Sequence, residues 1–164
     1  MSAVRRWLPV VLFGAAVLSM SGPWASSTVT GGMVEPWFEE LGFSRDTALF
    51  LHAFVRKSGH VAAYAVFGFL ALRAVLGGVP AAGAALRRRA FAALLLGAAL
   101  AAADEGLQSL TPERGGCLRD VVVDTGGVAF GVAAGLAFER RRASRAAGAP
   151  AAARPAPEPV ASAR

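Results

Sequence analysis

Three side chains that can do chemistry share one face of a predicted helix. Lys57, His60 and Tyr64 are separated by three and four residues, the spacing that brings side chains together on an α-helix. Glu105 stands near the end of a later apolar run. A histidine oriented by a carboxylate is a common general acid or base. His60 and Glu105 are therefore the candidate catalytic residues if the protein is an enzyme.

A larger polar set could instead bind a ligand. The candidate ligand-binding residues are Lys57, Tyr64, Gln108, Arg114, Arg119, Asp120 and Asp124. Lysine and arginine suit an anionic headgroup, arginine through bidentate contacts with phosphate. One histidine with carboxylates offers few ligands for a metal. Cys117 is the only cysteine, which excludes a cysteine-based zinc site. The sequence therefore predicts no metal and no cofactor.

These polar residues flank or end apolar blocks that are long enough to cross a membrane. Of 164 residues, 55% are hydrophobic, with a mean hydropathy of +0.49. The blocks are 7–20, 58–78, 90–110 and 121–138, and about 20 residues span the hydrocarbon of a bilayer. We predict an all-α, polytopic membrane bundle of four transmembrane helices, located in the cell membrane.

The first 25 residues form the first span or, alternatively, a signal peptide, since both have a basic start and a short apolar run. The following external segment contains EPWFEELGF (35–43), which predicts a short interfacial helix because its aromatic residues suit the headgroup level. Ser44 is the predicted N-cap of the helix that leads into the second span.

Arginine clusters predict the orientation. They lie at residues 5–6, 87–89 and 140–145, at the N-terminus, between the second and third spans, and after the fourth. The positive-inside rule makes these places cytoplasmic, so both ends are inside and loops 22–57 and 111–120 are external.

The Ala/Pro-rich tail, 146–164, is predicted to be disordered and cytoplasmic. Basic residues placed at membrane edges, rather than interleaved with aromatic residues, argue against nucleic acid binding despite the net charge of +6.

The candidate residues then all lie toward the outer face. A carboxylate near the centre of a membrane helix costs about 2.5–3.5 kcal/mol on insertion scales, so such groups usually face the bundle interior or water. We expect Glu105 to face inward beside Gln108 and Asp104, which points about 100° away on a helix, to be a solvated edge charge. Gly127 and Gly131 continue the face of Asp120 and Asp124 as a packing groove.

Taken in order, these residues resemble the VanZ-like family of small bacterial membrane proteins. The resemblance rests on Lys57, His60 and Tyr64 in the first motif, and on Glu105, Gln108, Pro112, Arg114, Asp120, Asp124, Gly127 and Gly131 in the second. It covers residues 45–138, with departures at Arg56, where the family often has an acidic residue, and at Asp124, where it often has asparagine. The resemblance implies a cell-envelope role, since the protein that gave the family its name lowers susceptibility to the lipoglycopeptide teicoplanin.

Three functions remain open. The protein could bind or occlude an anionic membrane lipid or a lipid-linked cell-wall precursor, with an acyl chain in the glycine groove. It could be a small membrane enzyme acting on such a lipid through His60 and Glu105. The polar residues could also be a structural clasp of ion pairs between helices. The sequence does not indicate an oligomeric state.

Overall fold

The computed structural model describes residues 2–79, 81–110 and 117–147. Within these ranges the chain is helical and contains no strand. The helices are α1 (Ala3–Ser19), α2 (Ser27–Glu40), α3 (Arg45–Leu76), α4 (Gly83–Ser109) and α5 (Leu118–Ala147), and a short 3-10 turn occupies Pro23–Ala25. The predicted all-α class is confirmed. Of the predicted tail, 146–147 end α5 and 148–164 lie outside the described residues.

Three helices, α3, α4 and α5, are long and apolar enough to cross a membrane. A fourth span would require α1 and the helical segment after it, which meet at a 76° bend, to act as one. Large apolar side chains such as Leu95, Val122 and Phe130 point outward on these helices, which suits a lipid environment better than water. The structure therefore supports three to four spans. The exact number and the orientation of the spans stay predictions. The helix predicted over 35–43 is observed as part of α2, which begins earlier, at Ser27, and ends at Glu40; its interfacial position also stays a prediction.

Local sequence signals determine where α3 begins and ends. The Ser44 hydroxyl accepts a hydrogen bond from the Thr47 amide at 3.3 Å, which confirms the predicted N-cap. The helix ends at Gly77, whose φ of 65° is the left-handed conformation that glycine adopts readily. Its 32 residues extend about 48 Å at 1.5 Å per residue, more than the ~30 Å hydrocarbon thickness. α3 can therefore project beyond the hydrocarbon region.

Small residues allow α3 and α5 to pack closely. A Cβ added to Gly68 of α3 would collide with the backbone of Val128, and one added to Gly131 would collide with the backbone of Ala65. Helices in lipid associate through such close backbone approach. α3 also contacts α1, α2 and α4, so it is the central helix of the described bundle.

Candidate functional site

Five polar side chains meet near the end of α1, where α3, α4 and α5 pack together. We call Ser21, His60, Tyr64, Asp104 and Asp124 the polar cluster. α3 contributes His60 and Tyr64, one turn apart, and α4 and α5 contribute one aspartate each. Ser21 comes from the break between α1 and the 3-10 turn. The cluster therefore joins four separate parts of the chain.

Asp104 lies at the centre of the polar cluster and is only 1% exposed. The Tyr64 hydroxyl donates to its Oδ2 at 2.9 Å, and the Ser21 hydroxyl donates to its Oδ1. Tyr64 is itself fully buried. The prediction that Asp104 is a solvated edge charge is wrong, because its side of α4 faces α3 and the end of α1.

Asp124 is equally buried, at 1% exposed, and is less completely bonded. Its Oδ2 lies 4.0 Å from Nδ1 of His60, and its Oδ1 has no hydrogen-bond partner among the described residues. The His60 side chain is 27% exposed. His60 therefore lies between the buried carboxylates and the outside of the bundle.

Three members of the polar cluster have the donor types and spacing of metal ligands. His60, Asp104 and Asp124 each offer one ligand atom, and these atoms all lie within 4.8 Å of one another. One imidazole nitrogen and two carboxylate oxygens suit a divalent cation. The cluster can thus bind a cation or, through His60, exchange a proton.

An ion pair lies beside the polar cluster, between the side chains of Lys57 on α3 and Asp120 on α5. The Lys57 side chain is 41% exposed and that of Asp120 36%. Arg119 is exposed next to Asp120. Of the predicted binding residues, Arg114 lies in 111–116, outside the described residues.

Glu105 and Gln108 are buried on α4, as expected for residues that face the protein interior. Oε2 of Glu105 accepts a hydrogen bond from the backbone N–H of Cys117 at 2.8 Å. Cys117 directly precedes α5. Glu105 therefore contacts the start of α5, whereas Asp104 faces Tyr64 and Ser21. The expectation that only Glu105 of this pair faces inward is wrong.

α3 fills the predicted glycine groove of α5. A Cβ added to Gly127 would lie 2.6 Å from the carbonyl oxygen of Val61, and Gly131 meets the backbone of Ala65. The two glycines therefore serve helix packing, and the idea that an acyl chain enters this groove is wrong.

An open groove of about 350 Å³ runs along the outside of α3 and α5 instead. Its lining is apolar apart from Lys57 and Ser58. The lining residues are Phe54, Lys57, Ser58, Val61, Ala62, Ala65 and Phe130. Lys57 thus belongs both to this apolar groove and to the ion pair with Asp120.

Sequence reasoning missed Ser21 and Asp104. Asp104 carried a usable signal, since an ionisable residue in an apolar helix usually faces the bundle interior. Ser21 carried none, because a small polar residue in a break does not indicate which helix it will contact.

Apolar helices of membrane-crossing length, with buried carboxylates between them, define a helical membrane protein with an internal polar cluster. The chain belongs to the VanZ/LLP1 family, whose model matches residues 7–139. This match confirms the resemblance and extends it over most of α1. Searches of the curated proteins and of the solved structures gave no significant match.

Proposed function

We propose that this VanZ/LLP1 protein binds an anionic lipid, or a lipid-linked cell-wall group, at the outer face of the cell membrane. The apolar groove beside Lys57 carries the proposal. Its walls, which include Phe54, Val61 and Phe130, suit an acyl chain. The ammonium group of Lys57 would then contact the anionic headgroup.

The exposure of the Lys57–Asp120 ion pair supports this role. Both side chains are more than a third exposed, and exposed ion pairs typically stabilise a protein by only about 0–1 kcal/mol. A phosphate could therefore replace Asp120 as the partner of Lys57 at little cost. The exposed Arg119 would add a second cation.

The arginine distribution supports the outward orientation of the groove. At another part of the bundle, a cavity of about 840 Å³ is lined by residues that include Arg5, Arg6, Arg73, Arg140 and Arg142. Arginine-rich edges of membrane proteins are preferentially cytoplasmic. The termini and this cavity would then face the cytoplasm, and the end of the bundle with Lys57 would face outward.

Native mass spectrometry of the full chain, extracted with its surrounding membrane, tests the proposal. We expect an anionic lipid on the wild type, and a Lys57→Gln variant that retains roughly tenfold less, the equivalent of about 1.4 kcal/mol. Arg56→Gln, the neighbouring position outside the groove lining, is the matched control and should retain the lipid. A wild type without bound lipid, or equal retention by Lys57→Gln, would contradict lipid binding.

The proposal extends to glycopeptide susceptibility. Teicoplanin acts on cell-wall precursors at the outer face, so a protein that occludes an envelope lipid there would alter the response to it. Expression of the wild type in a susceptible host should raise the inhibitory concentration of teicoplanin, and Lys57→Gln should abolish the increase. An unchanged inhibitory concentration with wild-type protein present in the membrane would remove the antibiotic link and leave lipid binding intact.

The alternative function is a small membrane enzyme with His60 as general acid or base. Its support is the part-exposed imidazole, 4.0 Å from the Asp124 carboxylate. The predicted partner of His60 is Glu105, but Oε2 of Glu105 accepts a hydrogen bond from the Cys117 amide. The Asp124 carboxylate, 4.0 Å from Nδ1 of His60, would orient the imidazole instead. Incubation with envelope lipids should then yield a product whose mass differs from the substrate. His60→Ala should abolish that product while lipid remains bound, and a wild type without product would argue against the enzyme.

A structural clasp is the third possibility, supported by the ion pair between α3 and α5. Alanine variants of His60, Glu105, Arg114 and Asp120 separate it from the other two. A clasp predicts that all four reduce the amount of folded protein in membranes. Folded variants that lose lipid or activity would exclude a purely structural role.

A further inference from the structure

We infer that His60, Asp104 and Asp124 bind one divalent transition-metal cation, with Zn²⁺ and Mn²⁺ as the test ions. This inference goes beyond the proposed lipid binding and does not depend on it. It rests on the ligand geometry, on one unpartnered carboxylate oxygen and on the hydrogen bonds that orient the second carboxylate.

The three candidate ligands are close to coordination distance from a common point. Their ligand atoms all lie within 4.8 Å of one another. Zinc bonds to nitrogen and oxygen of about 2.0–2.2 Å place neighbouring ligand atoms roughly 3–4 Å apart. Small side-chain rotations toward a shared centre would therefore complete three bonds without moving a helix.

Asp124 provides the independent indication that a ligand belongs here. Its carboxylate is 1% exposed, and Oδ1 has no hydrogen-bond partner among the described residues. Buried polar atoms are nearly always bonded, because leaving a charged oxygen without a partner is costly. A cation between Asp124 and its two neighbours would satisfy this oxygen.

Asp104 is already oriented as a metal-binding carboxylate would be. Tyr64 donates a hydrogen bond to Oδ2 of Asp104, and Ser21 donates one to Oδ1. An ionised carboxylate has about four acceptor positions, so each oxygen can still coordinate a cation. Metal-binding carboxylates are commonly held by such outer hydrogen bonds.

Charge and donor type narrow the class of ion. The polar cluster contains two buried aspartates and neither lysine nor arginine, while the nearby Lys57 already pairs with Asp120. A divalent cation would compensate both carboxylates. Imidazole suits zinc and iron, and carboxylates also suit manganese, whereas calcium and magnesium prefer sites built from oxygen alone. The 27% exposure of His60 gives the ion a path of entry and leaves room for a further ligand.

Metal analysis of the purified full chain tests the inference. The chain is stripped with a chelator, titrated with Zn²⁺ or Mn²⁺, and followed by metal content and by its thermal unfolding midpoint. We expect about one ion per chain and a raised midpoint, because a ligand that binds only the folded state stabilises it. His60→Ala and Asp124→Asn should each weaken binding at least tenfold.

Two control variants alter a histidine and a carboxylate that lie outside the polar cluster. His52→Gln alters the histidine that contacts Glu35 and Thr30, and Asp46→Asn alters an exposed carboxylate in the first turn of α3. Both should bind the ion like the wild type. If they lose it as strongly as the cluster variants, or if the cluster variants bind normally, the site is wrong.

The wild-type measurement alone can also overturn the inference, since a folded chain that binds neither ion has no such site. If Asp124→Asn does not fold, His60→Ala at the part-exposed position still decides between the outcomes. The lipid assay on the same preparations separates the two proposals. Loss of lipid from Lys57→Gln with the ion retained would concern lipid binding only.

Discussion

Asp104 illustrates how a single carboxylate is held inside an apolar bundle. Removing a charged group from water is costly unless hydrogen bonds or opposite charge replace the lost hydration. Here the two donors are Ser21 and Tyr64, from the break after α1 and from the middle of α3. The hydrogen bonds therefore stabilise the carboxylate and also fix α4 against two other parts of the chain.

Replacing Tyr64 with phenylalanine should destabilise the protein, because the ring stays packed while Asp104 loses one donor. A buried acceptor that loses its partner costs about 1–3 kcal/mol. Equilibrium unfolding of the detergent-solubilised protein measures the change in the free energy of unfolding. Ser144→Ala is the control. The Ser144 hydroxyl is exposed and donates to the Arg140 carbonyl, so this substitution should change that free energy by less than about 0.5 kcal/mol. Equal stability of Tyr64→Phe and wild type would show that the hydrogen bond from Tyr64 to Asp104 does not stabilise the folded protein.

At the scale of the helices, spacing predicted neighbours along each helix but not the direction that each face takes. Lys57, His60 and Tyr64 were expected to share a face, and two of them do join the polar cluster. Asp104 and Glu105 differ by about 100° in direction, and one of them was expected to face solvent. Both are buried because α4 has protein on two sides, toward Tyr64 and toward Cys117. Which neighbouring helix covers a given face depends on long-range packing. The spacing of polar and apolar residues along one helix does not reveal that packing.

The contact between α3 and α5 depends on glycine at a position that faces the α3 backbone. Gly131→Ala would place a methyl group against the backbone of Ala65 and force the helices apart. Such overpacking typically costs about 1–3 kcal/mol, so the unfolding midpoint should fall.

Gly126→Ala supplies the matched control within α5. Among the described residues, a Cβ there meets nothing within 4 Å, and alanine is favoured over glycine in helix interiors by about 0.5–1 kcal/mol. Its midpoint should equal or exceed that of the wild type. A Gly131→Ala variant as stable as Gly126→Ala would mean that the two helices do not pack as closely as described.

The start of α5 depends on a carboxylate from α4. Glu105 accepts the Cys117 amide, and a negative charge is favourable near the first turn of a helix. In Glu105→Ala, the amides at the beginning of α5 should exchange with deuterium faster than in the wild type, while those of α3 should not change. Glu139→Ala, near the other end of α5, is the control. Unaltered exchange at 117–121 would mean that Glu105 does not stabilise this helix start.

At the scale of the whole molecule, charge is distributed unevenly. The cavity that includes Arg5, Arg73 and Arg140 is rich in arginine, whereas the polar cluster holds two buried aspartates. The positive-inside rule connects this asymmetry to orientation. The composition and arginine positions predicted a membrane protein, but they could not predict the break at Ser21 that adds the end of α1 to the site.

Cys117 offers a direct measurement of orientation, because it is the only cysteine and is exposed. It lies between α4 and α5, in the loop predicted to be external. A membrane-impermeant maleimide should therefore label the wild type in intact cells. In a Cys117→Ser background, Ser144→Cys near the end of α5 should react only after the cells are permeabilised. The opposite labelling pattern would invert the topology and place the groove beside Lys57 in the cytoplasmic leaflet. The ligand would then have to be a lipid of that leaflet, and direct contact with teicoplanin's targets would be excluded.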